Sequence, residues 1–210
     1  MKEQSIVTTR TARYFTLGKL NENTKEVWIV LHGFAQLASN FIQKFEPFFN
    51  EDKFIVAPEA LNRFYTKGHS GNVGATWLTK EARLDDIKDN NQYLDNLIAE
   101  FKIDRTRTKI VTLGFSQGVA TLTRWLNVSE FKPDYLVLFA GEIAYELQTK
   151  PLPKYFATVK SYLVYGTKDP LLPSFAPDFL NELLAETDFE TITFEGGHEI
   201  NIEALRKIKL

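Results

Sequence analysis

The residues Gly114-Phe115-Ser116-Gln117-Gly118 fit the spacing G-x-S-x-G, and they fall where the hydrophobic rhythm of the chain changes. The apolar run Ile110 to Leu113 reads as a buried strand, and a helical pattern follows through Val119, Leu122 and Trp125. A sharp turn between them would strain the serine backbone and hold its hydroxyl at the sheet edge. There it would lie beside a helix N-terminus, whose free N–H groups favour negative charge. Glycines at 114 and 118 remove side chains that would collide in such a turn. Ser116 could instead cap the helix, although a cap does not require both glycines. The chemistry on offer is nucleophilic attack on a carbonyl, which needs a base, a carboxylate to orient it and donors for an oxyanion.

Three histidines are available as the base: His32, His69 and His198. His198 lies in EGGHEI, just after the strand-like ETITFE, on a glycine loop at a strand's carboxyl end. His69, in TKGHSGNVG, reads as an ordinary loop residue. Of the acids between Ser116 and His198, Asp169 in YGTKDPLLP directly follows the strand-like SYLVYG. It could also be a turn former beside Pro170. Glu142, Glu146, Glu182 and Glu186 have no comparable placement. Serine, acid and histidine, each after its own strand, form a candidate triad: Ser116 the nucleophile, Asp169 the acid, His198 the base.

An oxyanion needs fixed donors, and losing one can cost ~2.7–4 kcal/mol of transition-state stabilisation. Leu31-His32-Gly33-Phe34 follows the strand-like EVWIVL. The backbone N–H groups of Phe34 and Gln117 are expected to form the hole, with His32 supporting the loop, though HGF could also be an ordinary strand-ending turn. Phe34, Leu37, Trp77, Leu171 and Leu172 could supply apolar walls for a substrate.

These residues require a scaffold that brings several strand ends to one edge. Six apolar runs read as strands: 26–31, 53–58, 109–114, 134–141, 160–166 and 190–195. Helices are expected at 38–49, 81–101, 117–127, 173–186 and 201–208, and an N-terminal β-hairpin within SIVTTRTARYFTL. The alternation implies an α/β fold, a mostly parallel central sheet with helices on both faces, in one domain over 1–210. Sites in such sheets form beyond the carboxyl ends of the strands. LNRFYTKGHSGNVGATWL and GEIAYELQTKPLPKYFATV do not read as a large lid or cap domain.

Composition narrows the function classes. A net charge of −2 with dispersed lysine and arginine gives no reason to expect nucleic acid as a partner. The absence of cysteine excludes disulfides and thiolate metal sites and suits a reducing compartment. No metal-ligand cluster, P-loop or G-x-G-x-x-G occurs, so neither a metalloenzyme nor a nucleotide-binding protein is expected. No signal-peptide pattern opens the chain, and no apolar stretch approaches the ~20 residues of a membrane helix. A cytoplasmic protein is expected, with oligomeric state left open.

With LHGF (31–34), GFSQG (114–118), KDPLLP (168–173) and GGH (196–198) in this order, and ATWL (75–78) as a weaker match, the chain resembles the α/β-hydrolase superfamily. Within it the resemblance is to the phospholipase/carboxylesterase group, which includes acyl-protein thioesterases. The resemblance implies hydrolysis of acyl esters or thioesters without a cofactor, with Ser116, Asp169 and His198 in the triad. Trp77 corresponds to a tryptophan in a loop bordering the family's active site; a hydrophobic plug is the other reading of it. The chain departs from the family at Ala35-Gln36, where Gly-Asp is usual, at Val119 in place of a second glycine, and at Trp77-Leu78-Thr79 in place of Trp-Phe-Asp. These departures bear on the substrate, expected to be a short-to-medium acyl ester or thioester. The rival expectation is a catalytically silent receptor or binding module on the same fold.

Overall fold

The computed structural model describes residues 1–148, 154–171, 187 and 189–210. Strands β1 (Tyr14–Leu17), β2 (Glu26–Leu31), β3 (Lys53–Pro58), β6 (Lys109–Phe115), β7 (Tyr135–Phe139), β8 (Lys160–Gly166) and β9 (Glu190–Phe194) form one sheet in the order β1-β3-β2-β6-β7-β8-β9. All neighbours pair in parallel except β1, which runs antiparallel to β3. Strands β4 (Asn62–Lys67) and β5 (Ser70–Thr76) form a separate antiparallel hairpin.

The apolar runs become strands because both faces of the sheet are covered. Along β2, Val27, Ile29 and Leu31 face one core cluster, together with Leu94 and Leu97 of α2 (Arg83–Ala99) and Val119, Leu122 and Trp125 of α3 (Gln117–Val128). Trp28 and Val30 face the other, with Ala38, Phe41 and Ile42 of α1 (Ala38–Gln43) and Ala204 and Leu205 of α4 (Ile202–Arg206). Each of the larger aliphatic and phenylalanine side chains, fully buried, contributes roughly 1.5–3 kcal/mol. The period-two alternation also fixes register, because a one-residue slip would swap both faces.

The strand order places the site. From β2 the chain passes to β3 on one side, then returns to lay β6 on the other. The carboxyl ends of β2 and β6 therefore flank the point where the winding reverses, where open α/β sheets leave a crevice.

Several expectations need correction. The N-terminal hairpin is a single strand, β1, paired with β3, and residues 1–13 carry no strand. A two-stranded ribbon at that edge would need a second apolar face, and Ile6 and Val7 are instead fully exposed. The helix expected over 38–49 ends at Gln43, followed by a separate 3₁₀ turn at Glu46–Phe48 that carries Pro47, a residue without the N–H a continuing helix needs. The segment after β3, read only as a loop without a lid, is the β4–β5 hairpin, turning at Gly68 with φ +60°. The helix expected over 173–186 lies outside the described residues.

Candidate active site

Ser116 sits between β6 and α3 with φ +54° and ψ −119°, a conformation costly to a residue with a side chain. The turn is tight because helix and strands meet closely. A Cβ at Gly118 would lie 2.4 Å from Leu31 O, and one at Gly114 would lie 2.6 Å from Gly118 O. No side chain fits at either position, which explains the two glycines around the serine. Ser116 makes no side-chain cap to α3, so the capping reading is not realised.

Asp169 and His198 come together beyond β8 and β9. His198 Nδ1 is 2.7 Å from Asp169 Oδ2. The loop after β9 folds back over the end of β8, where Thr167 N–H donates to Phe194 O and Lys168 N–H to Gly196 O, each at 2.9 Å. The Asp169 side chain has no exposed surface, whereas 23% of the His198 side chain is accessible. The imidazole packs on the ring of Phe115, centroids 5.0 Å apart, next to Ser116 in the chain. Candidate nucleophile, base and acid thus share one sheet edge. Glu146 stands apart from this pair: it is bound by Arg124 and Arg83, and the hydrogen bonds from Arg124 lead the causes that bring its carboxyl down to about 2.

The loop after β2 lies against the serine: a Cβ at Gly33 would be 3.1 Å from Ser116 Cβ. Among the described residues neither the Phe34 nor the Gln117 backbone N–H has an acceptor, so both remain available as donors. His32 is wholly buried, and its Nε2 accepts the Ala60 N–H at 3.0 Å. Its Nδ1 must then carry the proton, which is donated to Gly33 O at 2.8 Å. Burial holds the imidazole below its ordinary range, against the opposing pull of Gly33 O and the Glu59 carboxylate. A neutral histidine with both nitrogens engaged is a strut and not a base. Gly33 C=O and Phe34 N–H belong to one peptide plane, so pinning the carbonyl aims the N–H the opposite way.

Ala35 and Gln36, where the family has Gly-Asp, are absorbed by the loop. Ala35 takes φ +60°, and Gln36 Oε1 accepts the Gly33 N–H at 3.0 Å. Behind the loop, the buried Glu59 holds Arg13, Arg63 and the Ala38 N–H.

Of the expected walls, Phe34 is 57% exposed and stacks on Phe64 of the hairpin, Leu171 is 46% exposed, and Leu37 is partly buried against the core. Trp77 is a correction: it has no exposed surface and donates its indole N–H to His32 O at 2.8 Å. A ring sealed beneath the loop cannot line an open pocket. Leu172 lies outside the described residues, and His69 sits at the hairpin turn. Phe64, the partner of Phe34, was not singled out from the sequence, because an aromatic in a polar segment gives no sign of its neighbour. Among the described residues no cluster of histidine, aspartate and glutamate could hold a metal ion, and no helix is long and apolar enough to cross a membrane.

Comparison with known proteins agrees with this geometry. Similar solved structures include esterase PE8 (21% identity, TM-score 0.68, covering 94% of this chain and 95% of that one). Zea mays acyl-protein thioesterase 2 is similar at 16% identity and TM-score 0.69, covering 94% and 96%. The Bacillus cereus carboxylesterase is similar at 17% and 0.63, covering 93% and 91%. At these identities they establish a shared fold. No curated protein sequence matches the chain significantly. The phospholipase/carboxylesterase family profile matches residues 17–210, nearly the whole chain, and the protein therefore belongs to that family of α/β-fold hydrolases.

Proposed function

We propose that the protein is a serine hydrolase cleaving carboxylic esters or thioesters of short to medium acyl chains through an acyl-enzyme on Ser116. The observation that carries this reading is the His198–Asp169 pair on the sheet edge that also presents the strained Ser116. His198 Nε2 takes the Ser116 Oγ proton as Oγ attacks the carbonyl carbon, and the C=O electron pair moves onto oxygen. The Phe34 and Gln117 N–H groups receive that oxyanion. Its collapse expels the alcohol or thiol, which leaves with the proton from His198. Water then attacks the acyl-serine, gives its proton to His198, and the proton returns to Ser116 as the carboxylic acid departs. Asp169 stays ionised throughout and stabilises the imidazolium. These steps call for no cofactor and no partner beyond the small-molecule substrate.

The chain-length preference rests on the exposed apolar residues Phe34 and Leu171 at the site and on what stands beside it, which among the described residues is a hairpin and not a helical cap. Each buried CH₂ contributes up to ~0.8 kcal/mol, so kcat/KM should climb over the first few carbons and then level off. The cysteine-free composition supports action in the cytoplasm, by residues 1–210 as one domain.

A fluorophosphonate followed by intact mass tests the nucleophile: one adduct is expected, absent in Ser116→Ala. Adduct formation at another serine overturns the assignment. Rates on p-nitrophenyl esters of increasing length, beside an acyl thioester, test the substrate class; activity rising steeply to palmitoyl length overturns the chain-length reading.

A further inference from the structure

The two candidate oxyanion donors stand on different strand ends, Phe34 beyond β2 and Gln117 beyond β6. The parallel ladder joining these strands ends at the pair Leu31 and Gly114, three residues before each donor. Something beyond the ladder must hold the donors at a fixed separation, because a displacement of about 1 Å can cost on the order of 10²-fold in rate.

Residues 76–78, which lead out of β5, span this gap. The Gln117 side chain grips them from the nucleophile's side. Its Oε1 accepts the Trp77 backbone N–H at 3.2 Å, and its Nε2 donates to Thr76 Oγ1 at 3.0 Å and to Leu78 O at 3.1 Å. Thr76 Oγ1 in turn donates to Leu78 O at 2.9 Å, which keeps the three residues in one shape. From the other side, the Trp77 indole N–H holds His32 O at 2.8 Å, and its ring lies against the imidazole with centroids 5.1 Å apart. That imidazole pins the Gly33 carbonyl, and hence the Phe34 N–H. Asn90 of α2 anchors the bridge from beneath, its Nδ2 donating to Trp77 O at 2.5 Å.

We infer that Trp77 and the Gln117 side chain are positioning residues: together they form a hydrogen-bonded cross-link that sets the distance and direction between the two oxyanion donors. The inference rests on the acyl-enzyme reading above and adds to it a role for two side chains that touch no reacting atom. Burial explains why this cross-link is stiff. Trp77 is fully enclosed and Thr76 nearly so, so water has no access to the indole bond to His32 O and little to the partly buried bonds of the Gln117 grip. It also explains how the family's Trp-Phe-Asp can become Trp77-Leu78-Thr79 here. The bridge uses the indole and the backbone of 77 and 78, and makes no use of side chains at 78 and 79.

The test is Trp77→Phe, which keeps a smaller buried ring and deletes the indole N–H, alongside Gln117→Leu, which keeps the backbone donor and deletes the grip. Each is expected to lower kcat on p-nitrophenyl acetate by about 10- to 100-fold with KM changed less than about threefold. Affinity for a trifluoromethyl ketone, which forms a tetrahedral oxyanion on the serine, should fall by the same factor as kcat/KM. Because both act through one bridge, the double variant should lose little more than the worse single variant. Either variant keeping wild-type kcat, losing activity without a matching loss of ketone affinity, or giving multiplicative losses in the double overturns the inference. Ser116→Ala separates the levels. If it stays active the acyl-enzyme reading fails, whereas an inactive Ser116→Ala beside a fully active Trp77→Phe fails the cross-link alone.

Discussion

Asp169 holds His198 with one carboxylate oxygen and the start of its own loop with the other. Oδ2 lies 2.7 Å from His198 Nδ1, and Oδ1 accepts the Leu171 N–H at 2.9 Å. With both oxygens engaged and the side chain fully enclosed, the carboxylate cannot rotate away from the imidazole. The proton on Nδ1 is thereby fixed, which in the proposed mechanism leaves Nε2 to serve as the base.

Asp169→Asn should therefore impose the wrong tautomer on His198 and lower kcat by about 10⁴. His198→Ala should lose at least as much, and the double variant little further, because the groups act as a unit. Steady-state rates on a p-nitrophenyl ester check this. An Asp169→Asn enzyme within tenfold of wild type would remove Asp169 from the mechanism.

The strain at Ser116 should be measurable as stability. A side chain at φ +54°, ψ −119° costs about 1–3 kcal/mol, part of which glycine would give back through its freer unfolded chain. Ser116→Gly is expected to be inactive yet more stable than Ser116→Ala by roughly 1 kcal/mol, or about 2–4 °C in Tm. Equal melting temperatures for the two variants would contradict a strained turn.

Ala35 carries a smaller strain of the same kind, at φ +60° in a loop whose N–H bonds to Ala75 O. Ala35→Gly should raise Tm slightly. Ala35→Val puts a β-branched side chain where it is least tolerated and should destabilise by about 1–2 kcal/mol. Thermal melts of the pair decide the matter, and an Ala35→Val protein as stable as wild type would refute it.

Acid should weaken the scaffold through two buried groups. Burial alone would raise the Glu59 carboxyl, but hydrogen bonds from Arg13, Arg63 and the Ala38 N–H outweigh it and hold it below its ordinary 4.5. His32 is held below its ordinary 6.5 by burial. In both cases the unfolded chain binds the proton at higher pH than the folded one. Stability is therefore complete above the ordinary values and falls as pH drops below them. Tm should decline first beneath about 6.5 and more steeply beneath about 4.5. Glu59→Gln should lose about 1.5–3 kcal/mol at pH 7 and show a flatter acid limb below 4.5. A limb unchanged by Glu59→Gln would place the acid sensitivity elsewhere.

The sequence by itself determined the strands, their burial on both faces and the three strand ends that carry Ser116, Asp169 and His198. Apolar runs and glycine spacing are local signals, written wherever a strand must be covered twice or a turn must be tight. The glycines at 114 and 118 are an instance: the collisions they avoid lie within a few residues of the serine or on the strand beside it. What pairs across the sheet was not legible. Nothing in SIVTTRTARYFTL tells one edge strand from a hairpin, because the partner, β3, lies some forty residues on. Trp77 shows the same limit at the site. Its type and neighbourhood suit a pocket wall and a buried plug equally, and only the packing of residues 76–78 against His32 and Gln117 settles that its ring is enclosed and its N–H spent on the loop. Hydrophobicity says that a side chain must be covered, and tertiary structure decides by what.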